Sequence, residues 1–281
     1  DQAAQGRDGR RVGEVLIVTG SSALAPSRRA ILAAGLPVAA LAGGLAHADQ
    51  RSAYPPDVGR KFQADGRVKP FAGNTIICHV PQQGPGSETF DALLDIYRQL
   101  PAHAFAAKIT ALPPSSYHMT IFGGANDQDR KPGLWPADLP LDLPMADCDR
   151  LLGERLKAFR LDCGLPLRMR VNLAEPAASE RPLTIRLLPV DDAEQAKLTQ
   201  LRDRLSQTLG IRAPAHDAYR FHITLGYLCR WLNPAEDADY RRALRAWREN
   251  LARRCPVIEL GAPEYCTLAD MFAFKRQFYL S

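Results

Sequence analysis

The sequence predicts an α+β protein built as duplicated β/α units that form two mostly antiparallel sheets around a central cleft. Three observations carry that expectation. Apolar strand-like runs alternate with amphipathic helical stretches over most of the chain, and the links between neighbouring strands are of hairpin length, which favours antiparallel pairing. One short pattern, His-x-Thr inside an apolar run, occurs twice, in Tyr117-His118-Met119-Thr120-Ile121-Phe122 and in Arg220-Phe221-His222-Ile223-Thr224-Leu225.

At 281 residues, 46% hydrophobic and 24% charged, the chain has the composition of an ordinary globular protein with a real core. The net charge of +5 permits an anionic partner but lacks the dense basic stripe of a dedicated nucleic-acid binder. Near the start, Ser27-Arg28-Arg29-Ala30-Ile31-Leu32 precedes an uncharged Ala/Gly/Leu/Val run through Leu45 and then Ala46-His47-Ala48. Paired arginines, a weakly apolar centre and a small-x-small site before Asp49 read as a twin-arginine export signal, too short and alanine-rich for a stable span. Residues 1–48 are therefore set outside the fold, and 49–281 are expected to form one bilobal domain. The exported form would be periplasmic; with the signal unused, the chain would stay cytoplasmic. The segment carries five basic and three acidic residues, which leaves 31 against 28 in the remainder.

The elements follow in order. Residues 54–70 are polar and turn-rich, with Asp65-Gly66 as a hairpin turn, and Asn74–Val80 reads as a buried strand. A helix starts at Ser87, with Phe90, Leu93, Leu94, Tyr97 and Leu100 at helical spacing. A strand over Phe105–Leu112 precedes the first His-x-Thr strand. Four prolines in 124–147 (Pro132, Pro136, Pro140, Pro144) predict an ordered surface excursion that walls the cleft. Then come a helix over Cys148–Phe159, strands over Leu167–Leu173 and Leu183–Leu188, and a helix over Ala193–Leu209 stopped by Gly210. The second His-x-Thr strand spans Tyr219–Cys229. A helix over Pro234–Arg253 carries an arginine-rich face that reads as a solvated surface, and strands over Val257–Leu260, Glu264–Leu268 and Met271–Leu280 close the chain. The six cysteines are scattered, without Cys-x-x-Cys spacing, and read as buried free thiols.

Strand alternation puts Ser116, His118, Thr120 and Phe122 on one face, and Arg220, His222 and Thr224 on one face. An imidazole and a hydroxyl side by side occupy a face that burial alone would have filled with apolar residues. Two imidazoles can take a proton from an attacking water and give one to a leaving alkoxide, and the threonines can donate to the charge that develops on phosphoryl oxygens. His118, Thr120, His222 and Thr224 are thus the candidate catalytic set, with Arg220, Ser116 and Phe122 as candidate substrate contacts. Tyr117 and Tyr227 fall on the opposite faces and read as core. No metal and no cofactor is called for, since two histidines fall short of the three protein ligands usual at a catalytic zinc.

The paired motifs, in the settings Pro113-Pro114-Ser115-Ser116-Tyr117-His118-Met119-Thr120 and Arg220-Phe221-His222-Ile223-Thr224-Leu225, resemble the two-histidine (2H) phosphoesterase superfamily, closest to a bacterial and fungal branch related to RNA 2′,3′-cyclic phosphodiesterases. The resemblance covers about Tyr54 to Leu280 and departs from the family in its proline-rich insert and wide motif spacing. It implies metal-independent hydrolysis of a cyclic nucleotide or a 2′,3′-cyclic phosphate. The expected partner is a small phosphodiester or nucleotide, with short RNA ends as a second class, no membrane for the mature chain, and a monomeric state. Two other readings use the same cleft differently: a protein that binds nucleotide without turnover, and an RNA end-processing enzyme. A third makes the polar pair a buried hydrogen-bond network in a structural envelope protein.

Overall fold

Strand β1 (Gly73–His79) is the spine of the molecule: six of its seven residues are buried, because it has a hydrogen-bonded strand on each side and packed layers above and below. In the computed structural model, which describes residues 52–178 and 182–281, β1 pairs with β3 (His118–Asn126) on one side and β8 (Glu264–Asp270) on the other, and β9 (Ala273–Tyr279) extends that edge. The other lobe runs through β4 (Leu167–Val171), β5 (Leu183–Pro189), β6 (His222–Leu228) and β7 (Ile258–Leu260). Every strand pair is antiparallel. The two expected sheets are the lobes of one curled half-barrel, in the order β7-β4-β5-β6-β3-β1-β8-β9.

The lobes meet at a single registered pair, Met119 with Ile223, the central residues of the two motifs. Beyond it β6 pairs instead with the short β2 (Ile109–Ala111), so β3 and β6 diverge after their motifs and leave a cleft between them. Two helix pairs cover the sheet. Helices α2 (Met145–Lys157) and α3 (Asp192–Leu209) pack together and lie against β1, β3, β5 and β8; α1 (Ser87–Gln99) packs on α4 (Pro234–Arg254), which rests on β4. The sequence marks their ends: Gly210 caps α3 at φ 68°, and α4 opens with a capping box in which Asn233 and Glu236 satisfy each other's backbone N–H groups.

Two expectations are corrected. Most of the strand expected over Phe105–Leu112 is a 3-10 turn over Ala104–Lys108, leaving three residues of strand, because Phe105 is drawn fully inside to pack against His103, Tyr240 and Trp247. The proline-rich excursion is ordered and borders the cleft only at its start, through Gly124 and Asn126, before it turns to the helices. Trp135 is buried and donates to the Pro140 carbonyl at 3.0 Å, Arg130 lies over its ring, and Arg155 of α2 holds Asp138, so the segment is pinned to the helices. Among the described residues no helix is long and apolar enough to cross a membrane. The twin-arginine stretch and the boundary at Asp49 lie outside the described residues.

Candidate active site

Both motifs stand on the same local device. The Pro113-Pro114-Ser115-Ser116 stretch makes a 3-10 turn at Pro114–Ser116, and the Ser116 carbonyl that it presents accepts from His118 Nδ1 at 2.7 Å. In the second motif the Arg220 carbonyl accepts from His222 Nδ1 at 2.8 Å. A carbonyl only accepts, so Nδ1 of His118 carries the proton and its Nε2 keeps the lone pair; at His222 the Arg186 guanidinium, which only donates, lies 3.2 Å from the same Nδ1, and the shorter carbonyl contact favours the same tautomer.

Continuing the Met119–Ile223 register by one residue on either side sets His118 opposite Thr224 and Thr120 opposite His222. Met119 and Ile223 are fully buried on one face, so the four polar side chains share the other. They form a square with the imidazoles on one diagonal. All four line one cavity of about 300 Å³ together with Lys61, Thr75, Gly123, Tyr227 and Phe274.

Each strand then breaks its alternation one residue after the threonine. Ile76 and Ile77 of β1 face Phe122 and Thr120, which leaves Ile121 unmatched, and Leu183 and Thr184 of β5 face Gly226 and Thr224, which leaves Leu225 unmatched. These β-bulges exchange the faces of everything that follows. Phe122, expected beside His118 and Thr120, is turned into the core, and Gly123 takes its place at the cleft. Tyr227, expected in the core, lines the cleft with its hydroxyl 3.4 Å from Lys61 Nζ. Gly124, next in line, must be glycine, since a Cβ there would fall on the Asn74 amide oxygen.

Two other expected contacts are placed elsewhere. Ser116 is buried and its hydroxyl donates to the Pro113 carbonyl at 2.7 Å. Arg220 precedes β6 and its guanidinium leaves the cleft for Glu175, 3.4 Å away, in a neighbouring cavity. Both residues serve the histidines through their carbonyls.

Arg60 and Lys61 both line the cleft, Arg60 paired with Asp129, and sequence reasoning missed Lys61 because nothing distinguishes it within a polar, turn-rich stretch. Its Nζ lies 3.2 Å from Asp57 and 4.8 Å from the centre of the Tyr227 ring. Burial works against its charge, but the Tyr227 hydroxyl and Asp57 outweigh that and raise its pKa, so it is positively charged. Burial pushes His118 down to about 4, helped by His79 and His222; burial also lowers His222, helped by Arg186 and Lys61. Both imidazoles are therefore neutral at pH 7.

Beside His118, its cross-strand partner His79 holds Glu264 at 2.9 Å, and Arg276 approaches the same carboxylate at 3.6 Å. With Cys266 these groups bring three possible metal ligands within 4.8 Å of one another. Glu264 is already engaged by His79 and Arg276, and burial pushes the Cys266 thiol up to about 12, so the cluster as it stands is a closed hydrogen-bonded network.

Residues 61–180 match a family named 2H-phosphodiest, a domain of unknown function (DUF1868). Over those residues the chain is similar to that family. A crystal structure of a conserved protein of unknown function from Agrobacterium tumefaciens has the same fold, with a TM-score of 0.74 and 28% identity over 83% of this chain and 96% of that one. No curated protein matches. The family's name supports a phosphodiesterase-type hydrolase at the coarse level. The matched stretch starts at Lys61 and contains the first motif, with the second beyond it.

Proposed function

We propose that the protein hydrolyses a small phosphodiester, a nucleoside 2′,3′-cyclic phosphate or another cyclic nucleotide, with His118 and His222 as its proton-transfer pair. The observation that carries this reading is the Met119–Ile223 register, which sets the two imidazoles diagonally across a square whose other corners are hydroxyls. One Nε2 removes a proton from water as it attacks phosphorus. The other imidazole delivers a proton to the ester oxygen as its bond to phosphorus breaks, and a phosphomonoester and a free hydroxyl result. Thr120 and Thr224 donate to the non-bridging oxygens, and Lys61 balances the charge that grows there. The phosphodiester anion itself favours protonation of one imidazole in the complex, which supplies the acid.

The cavity size fits a mononucleotide more readily than a polymer track. Phe274, whose ring lies 4.2 Å from that of His118, is placed to stack on a base. Turnover of mononucleotide 2′,3′-cyclic phosphates, measured with a chelator present, tests the proposal. Hydrolysis with weak salt dependence is the expected result, and a strong preference for longer RNA would point to an RNA end-processing enzyme. The export reading stands on the sequence of residues 27–48 alone; a mature chain beginning at Asp49 in the periplasmic fraction is its expected outcome.

A further inference from the structure

Away from the cleft, α4 places Arg241, Arg245 and Arg248 at spacings of four and three, which puts them on one helical face. That face looks across a cavity of about 420 Å³ to the chain segment Leu173–Ala177. The segment is held to the helix through its backbone: the Glu175 carbonyl accepts from Arg248 at 2.9 Å and the Ala177 carbonyl from Arg241 at 3.4 Å. The Glu175 side chain turns the other way, towards Arg186 and Arg220, each 3.4 Å from its carboxylate. Among the described residues the lining carries Arg241, Arg245 and Arg248 with Glu249 and the outward-turned Glu175. Arg241 is balanced by Asp237 at 2.7 Å, Glu249 lines the rim, and Arg245 has no ion-pair partner among the described residues.

Arg248 makes the stronger point. It is only 5% exposed, and its buried Nε has no hydrogen-bond acceptor. A guanidinium cannot escape by giving up its proton, so a buried, unsatisfied N–H on it is costly. Arg248 thus lines the cavity beside Arg241 and Arg245 with its hydrogen-bonding capacity only partly used.

We infer that this cavity is an anion-binding site, separate from the histidine cleft, that takes a phosphate group between Arg241, Arg245 and Arg248. Planar guanidinium groups suit tetrahedral oxyanions because each can offer two parallel N–H donors. Leu173 and Pro176 give the cavity an apolar side, so a phosphate carried on an organic body fits better than a bare ion.

The test uses inorganic phosphate as the probe at low ionic strength, with NMR of the arginine Nε–H groups of the intact protein as the readout. The expected result is a saturable shift of the Arg248 and Arg245 signals. Arg245→Gln, which changes an exposed side chain and spares folding, should weaken that binding at least tenfold, and Lys61→Ala in the cleft should leave it unchanged. A nucleoside monophosphate should bind more tightly than phosphate itself. Shifts that grow linearly with concentration and survive in Arg245→Gln mean an adventitious ion only and overturn the inference, as do shifts confined to residues around His118 and His222.

Discussion

The two motif strands are near copies in backbone and unlike in surroundings. Each histidine gives its Nδ1 proton to the carbonyl two residues earlier, each threonine faces the other strand's histidine, and each strand bulges at the next residue. Around that shared frame the neighbours differ. His118 has the His79–Glu264–Arg276 network and the Phe274 ring beside it, whereas His222 has Arg186 at 3.2 Å from its Nδ1. Past the bulge the first strand offers bare Gly123 and the second offers Tyr227 with Lys61. The duplicated backbone supplies two equivalent proton-transfer groups, and the unduplicated surroundings make them chemically distinct and turn the cleft towards an anion.

The comparison can be broken first at the histidines. His118→Ala and His222→Ala should each lower kcat by about 10²–10⁴-fold with the fold intact, since each removes one proton-transfer partner. Steady-state kinetics with circular dichroism as the folding control checks this, and a large loss in only one variant would show that the lobes do not share the chemistry. Lys61→Ala should come next, lowering kcat/KM by about tenfold to a hundredfold because a charged donor to the phosphoryl oxygens is lost. Gly123 has no side chain to play that part in the other lobe.

The unlike surroundings make a paired prediction about pH. Glu264 stabilises protonated His118, so Glu264→Gln should move the His118 titration to lower pH; Arg186 opposes protonation of His222, so Arg186→Gln should move the His222 titration to higher pH. NMR titration of the two imidazoles reads both. Shifts in the same direction would contradict the assigned asymmetry.

The smallest effect expected is on stability. Both folded-state pKa values lie below the ordinary 6.5 of an unfolded histidine, so between 6.5 and about 4 the unfolded chain binds more protons than the native one. The contribution of these groups is complete above pH 6.5 and falls as pH drops through that window. Urea midpoints at pH 7 and pH 4.5 should differ less for His118→Gln than for the parent chain.

Much of this was legible in the residues. Gly210, Asn233 and Glu236 announced helix ends because capping is local chemistry, and the repeated His-x-Thr announced the strands that meet. What misled was the bulges. Nothing in Thr120-Ile121-Phe122 or Thr224-Leu225-Gly226 signals that a partner strand skips a residue, and one skipped residue moves Phe122 into the core and Tyr227 out to the cleft. Lys61 was hidden for another reason: its role comes from folding residues 57–71 over the diverging strands, a long-range contact with no local pattern. The prolines of 132–144 correctly excluded a regular element, but the direction of the excursion depended on the burial of Trp135.

The central claim is that the two imidazoles act as one unit across the Met119–Ile223 pair. The most direct measurement is kcat on a mononucleotide 2′,3′-cyclic phosphate, with chelator present, for the parent chain, both single alanine variants and the double variant His118→Ala/His222→Ala. Groups that act together are non-additive, so the double variant should be little worse than either single, about 10²–10⁴-fold below the parent. Losses that multiply in the double variant, or a folded single variant with near-parental turnover, would contradict the account.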